Sequence, residues 1–252
     1  SAPPAQAPAP VLASAPAPGA TLALVTLTLI YGISQVDRQV IGLLLPDIKR
    51  AFHLSDTALG LLTGFAFALL YTLSTLILSR RADTGNRRAI IALGLAFYSV
   101  MTTLSGVAQN VWQLTLFRFG VAVGEGAGLP PSTAMISDFY PPATRGRALG
   151  IFVSGAAIGT IVMFPLVGVV AQHWGWRAGF LIAGVPGLIL AGLLFFGVKD
   201  PPLAASAGRT APPLGRTLRF IAGQRSVLLL YVAIVGHAMA LLSFAIWTPT
   251  GR

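Results

Sequence analysis

Apolar positions along this chain fall into long runs separated by short polar clusters, and the runs are too long for strands and too evenly apolar for surface helices. A helix rises about 1.5 Å per residue, so about 20 apolar residues cross a hydrocarbon core of roughly 30 Å. Seven runs reach that length: 21–45, 57–79, 89–108, 111–138, 147–171, 177–198 and 226–248. The expected fold class is an all-α membrane protein.

Composition agrees, since 55% of the 252 residues are hydrophobic, 10% are charged and the net charge is +10. There is no cysteine, which excludes disulfides, thiolate metal sites and cysteine nucleophiles. The basic excess is read through its placement. With the amino terminus inside, the inner loops hold Arg80, Arg81, Arg87, Arg88, Arg145, Arg147, Lys199, Arg209, Arg216, Arg219 and Arg225, against Lys49, Arg50 and Arg177 outside. That asymmetry predicts a cytoplasmic amino terminus and an inner-membrane location, and it explains the charge without a nucleic-acid partner.

Four domains follow. Residues 1–19, SAPPAQAPAPVLASAPAPG, read as a disordered Pro/Ala-rich cytoplasmic tail, and 20–198 as a six-helix transmembrane bundle. Residues 199–225, rich in Pro, Gly and Arg, read as a cytoplasmic linker whose end, LGRTLRFIAGQR, forms a short amphipathic helix on the inner leaflet. Residues 226–252 read as the first helix of a second bundle.

Ionisable groups deep inside a span are expensive and mark paired or hydrated sites. Asp37 and Arg38 lie in the first span, Arg118 and Glu125 in the fourth. Counting from the outer ends places Asp37 at a depth of about 12 Å and Arg118 at about 10 Å. They share one level. Glu125, two turns past Arg118 on the same face, lies roughly 10 Å deeper. Asp37, Arg118 and Glu125 are therefore expected to line one polar track, with the two carboxylates exchanging protons as the site wets and dries. Glu125 has no basic partner at its own depth on its own helix. Arg38 is expected to face the substrate cavity with Tyr31 and Gln35, since adjacent helical positions point to different faces.

In the fourth span, Gly120, Gly124 and Gly128 form a small-residue row suited to close helix packing, and Gly155 and Gly159 repeat it in the fifth. Pro130 and Pro131 remove two backbone donors and predict a bend. The loop LSRRADTGNRRA sets Asp83 among arginines, and Asp138 at the inner end of the fourth span is placed to pair with one of them or with Arg145. Such pairs would close the cytoplasmic side.

These residues resemble the major facilitator superfamily. The loop with Asp83, Arg87 and Arg88 is similar to that family's signature between its second and third helices, although Ser79, Arg81 and Thr84 depart from the pattern. Arg118 with GVAVGEG resembles its fourth-helix motif. VDRQVIGLLLPDIKRAFHLSDTALGLL and FRFGVAVGEGAGLPPS are similar to the spinster group. The resemblance implies twelve helices in two halves, of which this chain supplies the first half and a seventh helix, so that the other half or a second copy completes the pathway. It implies proton-coupled alternating access, Asp37 and Glu125 as proton sites and Arg118 as their partner. The cargo it implies is an amphipathic or lysolipid-like solute, with sugar acids and other small organic anions open.

Rival classes find less support. Lys49 and Lys199 are both in loops, so no lysine is placed to hold retinal. Ser154 lacks the turn of a hydrolase nucleophile, and His237 stands alone. No metal spacing, phosphate loop or dinucleotide motif occurs, so neither an enzyme nor a cofactor is expected. The remaining alternative is a non-transporting half-bundle that acts as a membrane interaction partner.

Overall fold

The computed structural model describes residues 15–53, 64–200 and 214–247. Most of the expected tail, the start of the second span and the centre of the linker lie outside the described residues. The chain divides into two compact units, Ser1–Gly208 and Arg209–Arg252.

In the first unit, helix α1 (Ala20–Phe52) is followed by α2 (Phe65–Thr84), α3 (Arg87–Ser105), α4 (Val111–Glu125), α5 (Leu129–Phe139) and α6 (Pro142–Gly192), the last prolonged by a π-helical turn, Leu193–Gly197. No strand occurs among the described residues. Two of these helices start with asparagine caps: the Asn86 side chain accepts from Ala89 N at 2.8 Å at the start of α3, and Asn110 from Gln113 N at 2.9 Å at the start of α4.

The helices redraw the expected spans in three ways. Ala20–Phe52, Arg87–Ser105 and Pro142–Gly197 are long and apolar enough to cross a membrane by themselves. The last is two crossings in one run, because Gly175, at φ 83° and ψ 165°, breaks it into arms 142–174 and 176–192. The expected fourth span is interrupted at 126–128. Pro130 and Pro131 do not bend a continuous helix there; they lie in the first turn of α5, where a missing N–H costs nothing. The second span is extended past residue 79 by the polar Arg80, Arg81 and Asp83.

The exposed surface is more apolar than that of a water-soluble protein, and charged groups lie within the core. Leu93, Ile161, Ile189 and Phe196 are exposed, while Asp37, Ser99, Thr102, Arg118, Glu125 and Ser132 are buried. Apolar groups outside and paired buried carboxylates inside suit lipid as the solvent. The buried apolar residues form two clusters, one with Leu27, Ile30, Leu95, Val121 and Met135, the other with Val36, Val40, Leu114 and Phe180. Along the chain, Asp37 follows Val36 of the second cluster, Arg118 falls between Leu114 of the second and Val121 of the first, and Glu125 follows Val121; together they form a polar seam.

Small residues bring α1 against the first arm of α6. A Cβ on Gly32 would stand 2.7 Å from the Gly155 carbonyl oxygen, and one on Gly159 would stand 2.5 Å from that of Gly32. Gly120 and Gly124 seat α4 on Met101 and Tyr98 of α3. Gly128 differs from its expected packing role. It precedes α5 at the interruption, where a Cβ would meet only the Glu125 carbonyl oxygen, at 3.1 Å.

In the second unit, α7 (Leu214–Gly223) and α8 (Arg225–Trp247) are joined through Gln224.

Candidate functional site: two stacked ion pairs

α1 enters the seam with Asp37 and Arg38 side by side, and the two side chains go to different acceptors and donors on neighbouring helices. Asp37 is fully buried. Its Oδ2 accepts from Arg118 Nη1 at 3.1 Å, and its Oδ1 accepts from Thr102 Oγ1 at 2.9 Å. The Arg118 guanidinium also stands 5.5 Å from the centre of the Phe67 ring, while its Nε is buried with no hydrogen-bond partner.

The second pair is Arg38 with Glu125. Arg38 Nε donates to Glu125 Oε2 at 3.0 Å, and Ser34 Oγ stands at 3.5 Å from Oε1. The Arg38 guanidinium lies 4.5 Å from the centre of the Tyr71 ring. Here the geometry departs from the expected single track. Glu125 takes its basic partner from α1, not from its own helix, and Arg38 is that partner. Positions 37 and 38 point about 100° apart, but a guanidinium on a three-carbon stem reaches across that angle, so both residues find partners.

The pairs differ in access. Arg118 and Asp37 side chains are 2% and 0% exposed, whereas Arg38 is 38% exposed beside a fully covered Glu125. Arg38 and Glu125 line a cavity of about 130 Å³, with Tyr31, Ser34, Gln35 and Tyr98 on its wall. Tyr31 stacks on Phe152 with ring centres 4.8 Å apart. The Tyr98 hydroxyl is buried with no hydrogen-bond partner.

Thr102, Tyr71 and Tyr98 were not singled out by the sequence. A neutral polar residue in a span carries little signal alone, though Tyr98 and Thr102 share a face of α3 at fourth-residue spacing. Thr102→Val removes one donor from a buried carboxylate without changing side-chain volume. The expected loss is about 1–2 kcal/mol of stability, read as a lower Tm of the purified protein.

At the end of the bundle that holds the loop 80–88, Arg87 pairs with Asp138 and lies 4.0 Å from Asp83. The other two expected gate arginines go elsewhere. Arg145 Nη2 donates to the Ser137 carbonyl at 2.9 Å. Arg88 Nη1 donates to the Val198 carbonyl at 2.9 Å, its Nε lies 3.6 Å from Asp200, and its backbone N donates to Asp200 Oδ1 at 3.2 Å. Asp200 thus ties the end of the sixth expected span to the start of α3.

Among solved structures, the crystal structure of a bacterial homologue of the human lysosomal transporter spinster, in an inward-facing, occupied conformation, aligns with a TM-score of 0.67 and 34% identity, over 76% of this chain and 47% of its own. A protein named MFS-type efflux pump from Mycolicibacterium smegmatis is 34% identical over 72% of this chain and 43% of its own. A probable sulfoacetate transporter from Cupriavidus necator is 34% identical over 69% and 40%. The chain therefore spans about half the length of the curated relatives it matches. The model of one family, the Major Facilitator Superfamily, matches residues 27–251, from the first helix through the last, and the chain belongs to that superfamily.

Proposed function

We propose that this chain forms the amino-terminal bundle of a proton-coupled secondary transporter that moves a small organic anion by alternating access, with its amino terminus in the cytoplasm of a bacterial cell. The observation that carries the reading is the Arg38–Glu125 pair at the cavity wall, stacked on the enclosed Asp37–Arg118 pair. While Glu125 is ionised, it occupies the arginine that an anion would need. A proton on Glu125 cancels its charge and releases Arg38 to an anionic group. By linkage, the anion then favours the proton by the same factor, so the two are carried together. Asp37 and Arg118 hold α1 against α4, with Asp37 as the second proton site, and the Arg87–Asp138 pair closes the cytoplasmic end.

The anion class is supported by the cationic cavity group and by the sulfoacetate transporter among the relatives. The test is flux through the full-length protein in proteoliposomes, with sulfoacetate and a panel of sugar acids as probes. The expected result is accumulation of at least one probe when the opposite side is made acidic, and not when the pH is equal. Equal flux with and without the gradient would overturn the coupling. No flux of any anion, alongside flux of a neutral or lysolipid probe, would overturn the substrate class.

A further inference from the structure

We infer that α7 lies flat in the headgroup layer of the leaflet from which α8 starts, and that Arg216, Arg219 and Arg225 hold anionic lipid there. This inference uses only the second unit and does not depend on the transport reading. α8 is 23 residues long, with no charged residue after Arg225, and rises roughly 35 Å, enough to cross a bilayer core. Its Leu229 and Val232 are exposed, as a lipid-facing surface requires. Gln224 alone separates the two helices, so α7 ends where the membrane begins.

At 100° per residue, Leu214, Leu218, Ile221 and Ala222 share one face of α7, while Arg216, Arg219 and Gly223 fall on the other. Phe220, about 40° from Arg216 on the side of the arginines, is exposed. This is the pattern of a helix that sinks one side into the acyl boundary and keeps the other among headgroups. The charge is one-signed. No Asp or Glu follows Asp200 in the sequence, so these arginines have no acidic side chain within their own unit. An anionic surface supplies the missing charge, at about a fivefold gain in local affinity per arginine.

These 252 residues contain no cysteine, so only cysteines elsewhere in the full-length protein need replacing by serine before a single spin label is placed. In the full-length protein, Leu218→Cys and Gly223→Cys are labelled and reconstituted into nanodiscs of phosphatidylcholine with or without phosphatidylglycerol. With phosphatidylglycerol, the Leu218 label is expected to collide more with oxygen than with a water-soluble nickel chelate, and the Gly223 label the reverse. Adding Arg216→Gln and Arg219→Gln, or omitting phosphatidylglycerol, is expected to raise nickel access at position 218 several-fold. A position-218 label shielded from both reagents would mean that protein covers the apolar face, and one open to nickel in every lipid would mean that the helix lies in water. Either result overturns the inference, as does equal depth with and without anionic lipid.

Discussion

Arg118→Ala is expected to abolish transport and to destabilise the bundle by about 3–5 kcal/mol, because it leaves a buried carboxylate without its counter-ion. Asp37 is fully covered and has two partners, Arg118 and Thr102. Removing the guanidinium strands a charge that water does not reach. Neutralising both members separates charge loss from lost packing: Arg118→Met with Asp37→Asn should recover much of the stability lost in Arg118→Ala, since the uncompensated charge is gone. Transport should stay absent in the double variant. Thermal unfolding of the purified proteins and flux in proteoliposomes read the two effects separately. Ordinary flux in Arg118→Ala would reduce the Asp37–Arg118 pair to a structural contact.

Gly159→Leu is expected to have the next largest effect. Its Cβ alone would stand 2.5 Å from the carbonyl oxygen of Gly32, a backbone atom that no rotamer change can move aside. α1 must then shift away from α6, and α1 carries both Asp37 and Arg38. Overpacking typically costs about 1–3 kcal/mol and occasionally more when, as here, the obstacle is main chain. Gly150→Leu, one position with nothing within 4 Å of an added Cβ, serves as the control and should be tolerated. Monodispersity and Tm of the two variants in detergent report the contrast; equal values would mean that the crossing is looser than its geometry implies.

The pairing of Asp37 with Arg118 was legible in the sequence because helix rise is fixed, so two counts from the membrane edge give the relative depth of two residues. Helical phase constrains a long side chain less. It separated Arg38 from the seam, yet a long side chain covers the angle, and the Arg38–Glu125 contact depends on how α1 and α4 pack. The prolines at 130 and 131 announced an irregularity but not its position: proline fits the first turn of a helix, so the interruption falls just before them, at 126–128. Arginines crowded around Asp83 looked like one network. Arg88 leaves it for Asp200, which the following prolines had marked only as the start of a linker. Thr102 and Tyr98 gained meaning from what lies opposite them, which no local pattern records.

The two stacked pairs matter most if their carboxylates carry the coupled proton. The most direct measurement is anion flux through the full-length protein at a series of imposed pH gradients, comparing wild type with Asp37→Asn and Glu125→Gln, each first shown to insert and fold. Both variants are predicted to lose the dependence of flux on the gradient. Gradient dependence equal to that of the wild type in both would contradict the assignment.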